Sequence, residues 1–207
     1  MQASLSHEYF HAIQYGYQEN TGEGPGSDAY FYEMTSMWIE DVIIPDGNDY
    51  LEDIWVDDLL DNPEGEFDNR WPRCSSCDGE GYELGLFGHY LSSYVDSYGS
   101  LDEKQSTIMN EIWQEYSDSY IASDDYDRPL VVIDRILQTE YQSSFIEAWV
   151  DFITRNLYNG IYDNMENPFY YYADQALIDP IETNYQTLEN RDTLILSLNN
   201  KSVAIQS

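Results

Sequence analysis

Residues His7-Glu8-Tyr9-Phe10-His11, in the string SLSHEYFHAIQYGY, read H-E-x-x-H, and no other stretch constrains this chain as tightly. On a helix with about 3.6 residues per turn, side chains at i and i+4 project from one face, so His7 and His11 stand together with Glu8 beside them. Two neutral imidazoles one turn apart form a ligand pair for Zn2+, and a neighbouring carboxylate can take a proton from a water. The same pattern also arises by chance in polar helices, with both rings simply solvated. Yet only three histidines occur in 207 residues, and two of them fall at this spacing.

A catalytic zinc site takes three protein ligands, so the next question is where the third comes from. After the Gly-rich stretch TGEGPGSD, the segment DAYFYEMTSMWIED reads as a second helix, with Ser27 or Asp28 as its N-cap. Glu33 lies on it, 22 residues beyond His11, which leaves room for the first helix to end and the chain to turn back. Glu40 shares a face with Glu33 and is placed to hydrogen-bond a ligand histidine from behind; Asp41 is a further candidate for that supporting role.

With these residues in hand, the chain resembles the gluzincin metallopeptidases, whose ligands are the two histidines of HExxH and a downstream glutamate. The string Glu33-Met34-Thr35-Ser36-Met37-Trp38-Ile39-Glu40-Asp41 is similar to the E-A-T-A-x-W-x-E-D segment of a group of bacterial and archaeal metallopeptidases. It is more distantly similar to the E-G-F-A-x-[YW]-x-E helix of M1-like aminopeptidases. Tyr82-Glu83-Leu84-Gly85 resembles their Y-E-K-G box, with Leu84 in place of the usual Lys. The order of elements matches over most of the chain, but the match is close only over the first forty residues. The resemblance implies a mainly α, zincin-like helical catalytic domain and peptide-bond hydrolysis, with Zn2+ on His7, His11 and Glu33 and Glu8 as general base. It also implies Tyr82 as the donor to the developing oxyanion. His89, seven residues on along the expected helix, is the alternative donor.

Charge sets the surroundings. Forty acidic and eight basic residues give a formal charge of −32, and the only lysines are Lys104 and Lys201. Such a chain repels nucleic acid and anionic membranes. Its self-repulsion is relieved by salt, as the Debye length falls from ~8 Å at physiological ionic strength to ~3 Å at 1 M. We therefore expect a saline setting, marine or haloadapted, and an extracellular or cell-surface location. A content of 42% apolar and 15% aromatic residues argues for a packed core rather than disorder.

No run of ~18 or more apolar residues spans a membrane. The metal motif starts too early to be preceded by a signal peptide or by the small β-sheet that zincins place before it. The C-terminal TLILSLNNKSVAIQS alternates like the opening of a β-structure. We read both ends as cut from a longer, exported enzyme, with residues 1–185 as the helical catalytic domain and 186–207 as the start of a C-terminal β domain.

Between the ends the pattern predicts helices in YLEDIWVDDLL (Leu51, Ile54, Trp55 and Leu59 on the apolar side) and from Tyr82 to Tyr98, capped by Gly99. Further helices are predicted over 102–118, 129–139 and 142–157, with a long Gly/Pro/Asp-rich loop over 61–81. The 20 tyrosines read as half-buried packing in an acid-rich surface.

Cys74 and Cys77 are the only cysteines, and one CxxC gives half of a structural zinc site; we expect a local disulfide, with free thiols next and metal binding last. The acidic turns with Asp46, Asn48 and Asp49, and with Asp124, Asp125 and Asp127, offer oxygen ligands suited to Ca2+. Neither follows the full EF-hand pattern, and solvated acidic loops account for them better than a Ca2+ site does. Three readings stay open: a zinc peptidase acting on a peptide or protein, as endopeptidase or aminopeptidase; a zinc-binding structural or interaction protein that has lost catalysis; and an acidic helical domain that binds no metal.

Overall fold

The computed structural model describes residues 2–17, 28–51, 63, 65–69, 81–96, 103–122, 128–159, 168–178, 183–187, 193–198 and 201–206, together with positions 56, 59 and 60. Helix α1 is Gln2–Tyr17 and helix α2 is Ala29–Ile43. The sequence of α2 is apolar on nearly every side, and Tyr30, Phe31, Tyr32, Met34, Met37, Trp38 and Val42 are all buried. A helix of that kind is stable only in an interior. Accordingly α2 is touched by α1, by the 3-10 turns at Asp49–Leu51, Phe67–Asn69 and Tyr82–Leu84, and by the short helix α3, Gly85–Tyr90.

Two glycines set the distance between α3 and α2. A Cβ on Gly85 would lie 2.8 Å from Met37 Cβ, and one on Gly88 would lie 2.8 Å from Trp38 Cβ. Real carbon contacts stay beyond about 3.5 Å, so only glycine allows this approach. Past Tyr90 the chain widens into a π-helical turn, Leu91–Asp96, where Ser92 accepts from Trp38 Nε1 at 2.9 Å.

The remaining helices are α4 (Ile108–Ala122), α5 (Pro129–Glu140) and α6 (Phe145–Asn156), each packed against its predecessor in the α4–α5–α6 series, with α4 also against α1. Pro129 opens α5 where a missing N–H costs nothing, and Ser144 caps α6 by accepting from Glu147 N. Aromatic rings join these helices to the centre: Phe31 stacks on Trp113 at 4.5 Å, and Phe87 meets Trp149 and Phe152 at 5.3 Å each. Three antiparallel strands close the described chain: β1 (Thr183–Thr187), β2 (Thr193–Leu198) and β3 (Lys201–Gln206), in that order in one sheet.

The mainly α expectation holds, and among the described residues no strand precedes Thr183. The β segment begins slightly before the boundary at 186 read from the alternation. No described helix is long and apolar enough to cross a membrane. Other expectations are corrected. The helix foreseen from Tyr82 to Tyr98 is three pieces, a 3-10 turn, an α-helix and a π-turn, and α4 starts at Ile108 rather than 102 because Ser106 Oγ and the Thr107 and Ile108 amides bind Asp96 Oδ2.

Asp28 stands at the N-cap of α2 without capping it. Its carboxylate instead accepts from Tyr116 OH at 2.9 Å and pairs with Arg128 Nε at 2.6 Å. Six tyrosines, among them Tyr30, Tyr116 and Tyr171, are fully buried rather than half-buried. Two of these hydroxyls donate to buried acceptors, Tyr116 to Asp28 Oδ2 at 2.9 Å and Tyr171 to Asn156 Oδ1 at 3.1 Å. Leu59 is buried as expected, whereas Ile54, Trp55, Ser27 and Gly99 lie outside the described residues.

Gly85→Ala should force α3 off α2 and cost about 1–3 kcal/mol in urea unfolding, the usual penalty for overpacking. Gly16→Ala, which meets nothing within 4 Å, should be neutral or slightly stabilising in the same assay.

Candidate metal centre

Packing α1 on α2 brings Glu33 to two histidines, the first of which lies 26 residues before it in the chain. His7 and His11 project from one face of α1, with ring centroids 4.8 Å apart and planes at 79°. Opposite them, Glu33 of α2 places Oε2 3.1 Å from His7 Nε2 and 3.4 Å from His11 Nε2. Ligand atoms ~2.1 Å from a tetrahedral ion stand about 3.4 Å apart, so these separations suit a bound metal ion. Among the described residues, His7, His11 and Glu33 are the group of His, Cys, Asp or Glu whose donor atoms converge closely enough to hold an ion.

Each imidazole is held from behind. His7 Nδ1 lies 3.3 Å from Glu40 Oε2, and both side chains are buried. His11 Nδ1 donates to Gln14 Oε1 at 2.7 Å, with Ser36 Oγ farther off at 3.3 Å. Outward-facing Nδ1–H groups leave both Nε2 atoms for the ion, the usual division of labour in a histidine ligand. Gln14 was missed from the sequence, although its spacing of three from His11 and seven from His7 sets it on their face of α1.

The site's electrostatics follow from this crowding. Burial works against a charge on His7, but hydrogen bonds to Glu33 and Glu40 outweigh it and push its pKa up to about 9. The hydrogen bond from Glu33 likewise raises His11, against the opposing effect of burial. Burial alone would raise Glu33, yet the two histidines hold it down at about 2. The carboxylate of Glu33 and the two imidazoles thus favour one another's charged forms.

Next to this cluster is a cavity of about 230 Å³ whose walls include Ser4, His7, Glu8, Glu40, Asp49 and Tyr82. Glu8 is exposed there, one residue from His7, and the half-buried ring of Tyr82 lies 5.5 Å from that of His7. Tyr82 thus stands beside the ligand cluster, as its spacing in the sequence did not require.

His89 does not join them. It is fully buried, with Nδ1 2.9 Å from Glu103 Oε1 and Nε2 3.9 Å from Asp41 Oδ2, between the rings of Tyr50 and Tyr172. The 3-10 turn at Tyr82–Leu84 winds at three residues per turn, which breaks the helical phase that would have put Tyr82 and His89 on one face. Asp41 likewise supports His89 rather than a metal ligand. Burial raises Asp41 to about 6, partly offset by His89.

Asp46, Asn48 and Asp49 are not part of any converging ligand group among the described residues, and Asp49 lines the cavity instead. Cys74, Cys77, Asp124, Asp125 and Asp127 lie outside the described residues. Comparisons with protein-family models, with curated proteins and with solved structures give no match to this chain.

The pKa shifts fix how the metal-free protein responds to pH. A histidine raised in the folded state contributes stability that is full below ~6.5, its unfolded value, and for His7 is lost as pH climbs through about 9. Glu33, depressed to about 2, contributes above ~4.5 and loses its contribution only in strong acid. In the presence of a chelator the melting temperature should therefore fall between pH 6 and pH 9.5. Added Zn2+ should restore it most at the alkaline end, where no proton competes.

Proposed function

We propose that this chain is a zinc-dependent peptidase of the gluzincin type, acting on a peptide or protein. The observation that carries the reading is the convergence of His7 Nε2 and His11 Nε2 on Glu33 Oε2, with Glu8 and Tyr82 on the walls of the adjoining cavity. The donor set, two imidazoles and a carboxylate, suits Zn2+ with one position left for water or substrate. Bound there, the ion supplies Lewis acidity towards a carbonyl and lowers the pKa of water.

The protein's own groups supply the rest. Glu8, exposed at the cavity beside His7, takes a proton from the attacking water and later delivers it to the leaving amine. The Tyr82 hydroxyl donates to the carbonyl oxygen as negative charge grows on it. Glu40 and Gln14 keep the two imidazoles oriented. His89 has no part in this scheme, since its ring is enclosed by Glu103, Asp41 and two tyrosines. The net charge of −32 supports an exported protein working in saline water, with no affinity for nucleic acid.

Glu8→Gln should keep one zinc per chain and abolish hydrolysis of a mixed peptide pool. Hydrolysis that survives this change would assign the base to another residue, and a wild-type chain that binds zinc without hydrolysing anything would be the non-catalytic zinc protein instead. Tyr82→Phe should lower kcat by about 10²–10³-fold, the cost of losing one oxyanion donor, with little change in KM. Glu33→Ala should reduce bound zinc by elemental analysis, and unchanged stoichiometry would place the third ligand elsewhere.

A further inference from the structure

We infer that Gln14 is a positioning residue that holds His11 in one tautomer and so decides which of its nitrogens faces the ion. This rests on the metal-site reading above and adds a residue to it. Gln14 is fully buried in the face of α1 that meets α2. Its Nε2 is 2.9 Å from the Tyr32 carbonyl oxygen, 2.9 Å from Thr35 Oγ1 and 3.1 Å from Ser36 Oγ. A carbonyl oxygen has no proton to give, so the –NH2 end of the amide must point there. Thr35 spends its own proton on the Phe31 carbonyl, at 2.9 Å, and is left with lone pairs for the amide.

The orientation of Gln14 is therefore fixed from the α2 side, and its Oε1 has to face His11. An amide oxygen only accepts, so the 2.7 Å contact requires a hydrogen on His11 Nδ1. Neutral imidazole carries a single N–H. Its lone pair then sits on Nε2, the atom 3.4 Å from Glu33 Oε2. The Tyr32 backbone thus dictates the tautomer of His11 through one rigid amide.

The two ligands are served differently. His7 has a carboxylate behind it, Glu40, whereas His11 has an uncharged amide. The amide fixes direction without adding negative charge to a site that already holds two carboxylates.

The test compares Zn2+ affinity of the full-length wild type, Gln14→Leu and Gln14→Glu by competition with a chromophoric chelator, with helicity and melting of the metal-free forms measured alongside. Losing the group behind a ligand histidine typically costs 10–100-fold in metal affinity, and Gln14→Leu should show a loss of that size. Gln14→Glu regains an acceptor for Nδ1 and, protonated on the oxygen facing Tyr32, keeps a donor; its affinity should return most of the way. In 1H–15N spectra of the zinc-loaded wild type, His11 should carry a slowly exchanging proton on Nδ1.

Equal affinity of wild type and Gln14→Leu overturns the inference. So does a Gln14→Glu variant as weak as Gln14→Leu, which would mean packing alone matters. Metal on Nδ1 of His11 in the wild-type spectra overturns it even if both variants fail to fold. If the wild type binds no zinc, or binds it undiminished in Glu33→Ala, the metal-site reading itself falls and this inference with it.

Discussion

Everything in this molecule depends on the burial of α2. The helix is apolar around almost its whole circumference, so it has to be enclosed, and the enclosing elements are the ones that carry the chemistry. Asp41 faces His89, but its other polar positions, Glu33, Thr35, Ser36 and Glu40, are grouped. They occupy the side covered by α1, where His7, His11 and Gln14 answer them atom for atom. A helix that must be inside for hydrophobic reasons thereby carries carboxylates and hydroxyls into a low-dielectric setting, where each polar contact is strong and each unmet one costly. The same rigidity is supplied from the far side by Gly85 and Gly88, which let α3 press Tyr82 towards the cluster.

Two histidine clusters flank α2, and their contrast is informative. His7 lines a cavity, with Glu33 partly open to solvent at 24% of its side chain. His89 is sealed between Glu103, Asp41 and tyrosine rings. Both are histidines beside carboxylates, and burial opposes the charge on each while the acids favour it. Among the described residues, only the first brings donor atoms together closely enough for a metal ion, and it borders a cavity. The second has the character of an internal ion pair that ties α2, α3 and the Glu103–Gln105 turn into one unit. Proximity to acid, in a chain with 40 of them, says little about function; accessible convergence says much.

How much of this was legible beforehand can be argued residue by residue. His7, Glu8 and His11 were readable because the helix period is a local property that a pentapeptide already expresses. Glu33 and Glu40 were readable because seven residues is two turns of a single helix. Gln14 obeyed the same arithmetic and was overlooked, since an amide next to a metal motif draws no notice until its partner atoms are known. His89 lies elsewhere because the segment from Tyr82 is not one continuous helix: a 3-10 turn precedes the α-helix that carries it. Asp28 failed for a related reason. The position was right, but two distant partners, Tyr116 and Arg128, compete for its carboxylate and win.

The sequence by itself determined the helical class, the pairing of two imidazoles on one face, and the strongly acidic character of the chain. These follow from local periodicity and from summed charge, neither of which depends on where distant residues end up. Only the tertiary structure decided that Glu33 meets both histidines, that Tyr82 rather than His89 borders the cavity, and that a buried glutamine contacts His11 Nδ1. Those outcomes hinge on the separation and phase of helices packed side by side. A shift of one residue in phase turns a side chain by about 100°, and no short-range pattern records that angle.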